Sequence, residues 1–410
     1  MRVIVVGAGI GGLTAALSLL RRGIEVEVYE AAHALGEIGA GFQIGANGAR
    51  VLFELGLEAA IRQSWSQIDG KVVRLWNTGQ SWKLFDLGLV SVERYGLPYF
   101  MMHRADLHAI LADAVRALDP RAIRLGKRAV EAGVEDRAAR VSFADGGSAR
   151  GDVLVGADGV HSAIRKALFG AGAAEFTGFV AWRGLAPADA LPERLVRPLG
   201  TNWIGPGRHV VHYPVRRGEL LNFVAAVEGK PWVEESWTLP GSHAECAADF
   251  AGWHEDVHAM IAAIEQPYRW ALVGREPMQS WSLGRGTLLG DACHPTLPFL
   301  AQGAGMAIED GFILARCLDA WPDHPEEALK RYEAARIPRT SRVMRGSAEN
   351  GRRFHDNALS APGDAQAYVE REWEPGRVAE RYDWLYDYDA TTAPLAGPRG
   401  PWPRPTGTGV

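Results

Sequence analysis

Two short stretches of this chain hold titratable side chains at spacings that could do chemistry. His209, His212 and Tyr213 fall within HVVHYPV at 209 to 215, whose apolar alternation predicts a strand. Side chains alternate across a strand, so His209 and Tyr213 share one face while His212 turns to the other. Imidazole has the ordinary pKa nearest neutrality, which suits it to accept a proton from a weakly acidic group. The second stretch, His254-Glu255-Asp256-Val257-His258, is a literal H-E-x-x-H on a predicted helix, with two histidines one turn apart for zinc and a glutamate for general base. Ile261 stands where the extended motif requires glycine, and Glu276, the acid that would have to replace the lost ligand, lies beyond Pro267 and a predicted strand. The segment therefore reads as an exposed polar helix face, with zinc hydrolysis as the competing chemistry.

A third pattern concerns phosphate. In VIVVGAGIGGLTAALSLLRRGIEVEVYE, Gly7, Gly9 and Gly12 form a G-x-G-x-x-G triplet between a β-branched run and a helix-forming run, and a second strand ends at Glu30. The first glycine allows a tight turn, the second lets backbone approach a pyrophosphate, and the third brings helix and strand together. A helix N-terminus offers free N–H groups and partial positive charge to phosphate. Glu30 is placed to accept hydrogen bonds from the hydroxyls of an adenosine ribose. The same residues, Val3 to Leu20, are an uncharged run behind Arg2 that superficially counts as a membrane span, but the glycines break it into strand, turn and helix. The motif suits either NAD or FAD. A second glycine-rich stretch, GEIGAGFQIGANG at 36 to 48, suits backbone wrapped around an extended dinucleotide.

Two further strand-to-helix junctions follow. DVLVGADGVHSAIR at 152 to 165 runs from an apolar strand into Asp158, and GTLLGDACHPTLPFLAQGAGMAIED at 286 to 310 ends a strand at Gly290-Asp291 and starts a helix near Gly303. Strand C-termini in open α/β sheets border the ligand crevice. With the first motif, and with HRADLH at 103 to 108 and FTGFVAWRG at 176 to 184, this series resembles the class A flavin-dependent aromatic hydroxylases, in the branch of salicylate hydroxylase, 3-hydroxybenzoate 6-hydroxylase and 6-hydroxynicotinate 3-monooxygenase. The resemblance covers roughly residues 1 to 390.

It implies an α/β fold like that of para-hydroxybenzoate hydroxylase: a Rossmann-like FAD-binding domain interleaved with a mixed or antiparallel-sheet substrate domain, and a helical C-terminal part. It implies that Gly7, Gly9, Gly12 and Glu30 hold the ADP part of FAD, that Arg104 reaches its phosphate and ribityl region, and that Asp158 serves both FAD and the nicotinamide donor. Asp291 would bind the ribityl chain, and Gly303, Ala304 and Gly305 would face the pyrimidine end of the flavin. The reaction implied is hydroxylation of a phenolic aromatic acid with NADH or NADPH and O2, through a flavin C4a-hydroperoxide. His209 is then the candidate base for the phenol, Tyr213 a substrate contact, and Gln302 and Pro295 further substrate candidates. A dehydrogenase or oxidase of the same fold is the nearer alternative.

The expected layout is discontinuous: residues 1 to 75, 97 to 175 and 275 to 350 for FAD, 76 to 96 and 176 to 274 for substrate, 351 to 393 as a helical segment, and 394 to 410 as a disordered tail rich in proline and glycine. Seven of the 14 tryptophans, among them Trp232, Trp237, Trp270 and Trp281, fall between 176 and 281. The chain of 410 residues, 47% hydrophobic and 23% charged, is long enough for a large core. Its formal net charge of -5 gives no basic footprint for nucleic acid or membrane, so small molecules are the expected partners. Three cysteines at irregular spacing fit neither a disulfide framework nor a zinc ribbon, which favours a reducing cytoplasm, with the chain a monomer or homodimer.

Overall fold

The computed structural model describes residues 1–36, 40–86, 88–170, 172, 175–229 and 239–395. Trp232, Trp237 and residues 396–410 of the proline-rich tail lie outside the described residues. The β-branched run becomes the strand Arg2–Val6, the glycine turn follows, and the helix Ile10–Leu20 buries nearly all its length. Arg2–Val6 pairs in parallel with Glu25–Tyr29 on one side and Val153–Gly156 on the other. The central strand is buried at Val3, Ile4, Val5 and Val6, side chains of both its faces, which is why it is an unbroken apolar run rather than an alternating one. Ile123–Arg124 and Gly286–Leu288 extend this sheet, and Ser282–Leu283 closes one edge in antiparallel fashion.

The second large sheet has eight strands and is antiparallel except at one pairing. Glu175–Pro187, Leu220–Glu228, Arg208–Val215 and Leu199–Gly205 are its consecutive middle strands. Leu199–Gly205 then pairs in parallel with Gly70–Leu75, whose hairpin partner is Ser81–Asp86. This shifts an expected boundary. Residues 70 to 75, assigned from sequence to the FAD unit, lie in this eight-stranded sheet. The physical reason is the tight turn between them: Leu75 N–H donates to Gln80 O at 2.9 Å across Gly79, which has φ +69°. A hairpin closed that tightly keeps both strands in one sheet.

The helix Gly303–Ala320 packs on Ile10–Leu20, and the 30-residue helix Pro325–Phe354 packs on it in turn. Helices Pro362–Glu372 and Pro375–Tyr386 complete the C-terminal part, and their aromatic residues pack under the large sheet. Among the described residues, no helix is long and apolar enough to cross a membrane.

Candidate active site

A single cavity of about 620 Å³ runs from the glycine turn to the underside of the large sheet. At one end it is lined by Gly9, Gly11, Arg104, Asp291, Gly303 and Ala304. At the other it is lined by Gln43, Lys71, His209, Tyr213, Trp270 and Phe354. Thus residues from the beginning, middle and end of the chain border one space, and Pro295 is among them.

The glycine turn is shaped for close approach. A Cβ on Gly12 would collide with the Gly7 carbonyl, so helix and turn sit closer than any other residue allows. A Cβ on Gly9 would meet nothing within 4 Å and would project into open space at the cavity wall. Gly9, Ile10 and Gly11 line the cavity where the helix Ile10–Leu20 begins, and no side chain caps that helix start, so the residues present fit the phosphates of the adenine dinucleotide that the motif implies. Glu30, at the end of the second strand, accepts from Ala8 N–H and Ala32 N–H, each at 2.8 Å, which fixes its carboxylate beside the turn.

The same end of the cavity, where Asp291 and Gly303 lie, is held by a buried ion network. Asp310 accepts from His294 Nε2 at 2.5 Å, from Arg336 Nε at 2.6 Å and from Gly290 N–H at 3.2 Å. Next to it Glu309 pairs with Arg336 and Arg339 and accepts from Asn47 at 2.6 Å. Both carboxylates are fully buried, and the cost of burial is outweighed at Glu309 by Arg339 and Arg336 and at Asp310 by His294 and Arg336, which hold both pKa values below the ordinary range. The network clamps the Gly290-Asp291 turn and the start of the helix Gly303–Ala320 to the same frame.

Several expected site residues lie elsewhere. The Asp158 carboxylate caps the helix Ala163–Phe169, accepting from Ala163 N–H at 2.7 Å, Ile164 N–H at 3.1 Å and the Ser162 hydroxyl. Its neighbours Gly159, Val160 and His161 line the cavity while its own side chain does not. The reason is local: a carboxylate five and six residues before the free N–H groups of a helix start is drawn to cap them. Gln302 is buried and bonded to Asn47 at 3.0 Å, and Gly305 packs beside it, so neither borders the cavity. His254 does not sit on a helix face. It is the N-cap of Glu255–Ala263, its Nδ1 accepting from Asp256 N–H at 3.1 Å. Asp256 is also not an exposed polar residue: it is fully buried, bonded to Arg74 and Arg194 at 3.0 and 2.8 Å.

The strand alternation holds at the large sheet. His209, Val211 and Tyr213 border the cavity and His212 does not. His209 Nδ1 is 2.6 Å from His355 Nε2, beyond the end of the long helix, and burial beside that second imidazole pushes the His209 pKa well below its ordinary range. Burial raises the Tyr213 pKa, so its hydroxyl stays protonated.

Sequence reasoning missed Lys71. Its Nζ donates to the Tyr99 hydroxyl at 3.0 Å, Tyr99 donates to Gln43 at 2.6 Å, and burial lowers the lysine pKa to about 7. The signal was present: in GKVVRL, Lys71 is in phase with Val73 and Leu75 on the inward face, where a lysine is out of place. Arg183, which also lines the cavity, was passed over as well.

Comparison with known proteins agrees with this layout. The FAD binding domain family model matches residues 1–347. The chain is 41% identical over 389 residues to 3-amino-4-hydroxybenzoate 2-monooxygenase of Streptomyces platensis, covering 95% of this chain and 96% of that one. It is 37% identical over 405 residues to 6-hydroxynicotinate 3-monooxygenase of Pseudomonas fluorescens, covering 97% of each. The crystal structure of Klebsiella pneumoniae HpxO complexed with FAD and uric acid superposes with a TM-score of 0.81 at 29% identity, covering 97% of this chain and 98% of that one. A salicylate hydroxylase substrate complex does so with a TM-score of 0.78 at 27% identity, covering 95% and 96%. The glycine turn, the continuous cavity and these relatives together establish that the chain belongs to the family of FAD-dependent aromatic monooxygenases.

Proposed function

We propose that this monooxygenase hydroxylates a phenolic aromatic carboxylic acid, with the acid group at Lys71 and the ring hydroxyl at His209. The observation that carries the reading is the pairing of a buried cation and a neutral imidazole on one cavity face. In such a pocket an ammonium with no carboxylate partner attracts an anionic ligand group, and a charge-assisted contact of this kind is among the stronger polar interactions. Apolar walls from Val211, Val224 and Trp270 suit an aromatic ring between the two. Gly9, Arg104, Asp291, Gly303 and Ala304 are the residues proposed to hold FAD, with Glu30 on the ribose. When bound, FAD accepts a hydride from NADH or NADPH and activates O2 for transfer to the ring.

The chain's own residues then do three things. Lys71 and Tyr213 orient the ring, the apolar walls exclude water, and His209 accepts the hydroxyl proton so that the ring becomes electron-rich. The activity for which the Streptomyces relatives are named makes 3-amino-4-hydroxybenzoate the first compound to test. Three free, buried cysteines are in keeping with a cytoplasmic setting. The experiment is a screen of 3-amino-4-hydroxybenzoate, 6-hydroxynicotinate, 3-hydroxybenzoate and salicylate for stimulated NADH and NADPH oxidation, with products identified. A hydroxylated product supports the reading. NADH loss that yields only hydrogen peroxide with every compound defeats it.

A further inference from the structure

We propose that His209, His355 and Glu228 form a proton relay that carries the ring hydroxyl's proton from the closed cavity to solvent. The proposal rests on the reading of His209 as the base, and extends it to two residues that touch neither the cavity nor the substrate. His209 Nδ1 lies 2.6 Å from His355 Nε2, and His355 Nδ1 lies 3.3 Å from Glu228 Oε2. The two imidazoles are buried, whereas the Glu228 side chain is 53% exposed. The chain of contacts thus begins at the cavity wall and ends in water.

Strand register explains how Glu228 reaches this place. His209 pairs directly with Ala226 on the neighbouring strand, and Glu228 is two residues further on, so it shares that face as a diagonal neighbour. His355 comes from the opposite side, as the C-cap of the helix Pro325–Phe354, and its carbonyl accepts from Gly207 N–H at 3.2 Å. Phe179 and Phe299 flank its ring at 5.4 and 6.4 Å and contribute no charge.

The donor and acceptor pattern gives the chain a direction. An ionised Glu228 only accepts, so His355 Nδ1 must carry a hydrogen and its Nε2 must accept. His209 Nδ1 must then donate, which leaves His209 Nε2 with a lone pair, as a base requires. Burial disfavours an imidazolium at either ring, and pushes the His355 pKa down to about 3. A lone His209 would therefore be a weak base, and the relay removes the difficulty because neither ring has to keep a second proton. The substrate O–H bond breaks as a bond to His209 Nε2 forms. The His209 Nδ1–H bond breaks as His355 Nε2–H forms, and the His355 Nδ1–H bond breaks as a Glu228 O–H forms. Glu228 releases that proton to water. One phenol becomes one phenolate, both imidazoles stay neutral with exchanged tautomers, and nothing is oxidised or reduced.

The test uses the FAD-loaded enzyme and 4-hydroxy-3-nitrobenzoate, whose ionised form absorbs in the visible range. The complex is formed at pH 6 and jumped to pH 8 in a stopped-flow instrument, and the nitrophenolate band is followed. The relay requires the band to appear at least tenfold more slowly in His355→Phe, His355→Gln and the surface variant Glu228→Gln than in the unmodified enzyme, with FAD retained. If His209→Asn is impaired while all three of those variants keep the unmodified rate, the relay is wrong and the base assignment stands. If His209→Asn itself matches the unmodified enzyme in rate and amplitude, the base assignment fails and the relay with it.

Discussion

Lys71 donates to the hydroxyl of Tyr99 at 3.0 Å, and among the described residues no carboxylate is paired with it. A buried ammonium with only a neutral partner weakens the free protein and awaits an anion. Lys71→Met should therefore raise the melting temperature of the ligand-free protein at pH 7, while weakening binding of an aromatic acid by roughly tenfold to a hundredfold, the range of a charge-assisted hydrogen bond. Thermal unfolding and titration of the bound-flavin spectrum check the two halves separately. Unchanged acid affinity in this variant would remove the carboxylate from Lys71.

The same residue fixes the direction of a pH effect. Its ordinary pKa is 10.5 and burial brings it to about 7 in the fold, so between those values the unfolded chain holds more protons. Stability of the ligand-free protein should accordingly rise with pH through this window on account of Lys71, a slope that Lys71→Met abolishes. An acid bound at the ammonium favours its charged form, so affinity should fall as pH rises above about 7, with proton uptake on binding. Calorimetry in buffers of different ionisation enthalpy measures that uptake directly. Its hydrogen-bond partner, the Tyr99 hydroxyl, is itself bonded to Gln43, and burial raises the Tyr99 pKa, so neither group carries charge in this range.

Gly9 and Gly12 should separate binding from folding. Ala at Gly9 meets no neighbour in the protein itself, so Gly9→Ala is expected to fold normally and to bind FAD more weakly. Ala at Gly12 collides with the Gly7 carbonyl, so Gly12→Ala should lower the stability of the ligand-free protein as well. Urea unfolding alongside flavin-fluorescence titration distinguishes them. Equal loss of stability in both variants would contradict the geometry.

Arg336 joins the two buried carboxylates Glu309 and Asp310, bonding Asp310 at 2.6 Å and pairing with Glu309 at 2.7 Å. Removing it leaves an uncompensated negative charge in the core, and Arg336→Met should cost about 3–5 kcal/mol of stability. Both acids have depressed pKa values, so the stability they contribute is present above the ordinary carboxylate range and is lost as pH falls from that range through the depressed values. Acid unfolding followed by tryptophan fluorescence should occur at higher pH in Arg336→Met than in the unmodified chain. A variant with unchanged acid stability would show that Arg339 and His294 suffice.

Some of this architecture was readable locally. The turn at Gly7 to Gly12 follows from residues that must crowd one another within a single strand-turn-helix unit, and Glu30 follows from the length of the helix between two parallel strands. The shared face of His209 and Tyr213 needs only the two-residue period of a strand. Where the sequence misled, a local contact usually outcompeted the imagined one: Asp158 caps its own helix, His254 caps another, and Gln302 bonds to Asn47.

By itself, then, the sequence determined the cofactor turn, the family and the alternation that aims His209 at a pocket, because each is set by neighbours in the chain. The tertiary structure alone decided that Lys71 lines the same cavity as residues from 209 to 304, and that His355, 146 residues from His209, sits against it. Those relationships depend on strand order and register between distant segments, and on where a helix ends against a sheet. No periodicity within one element encodes either.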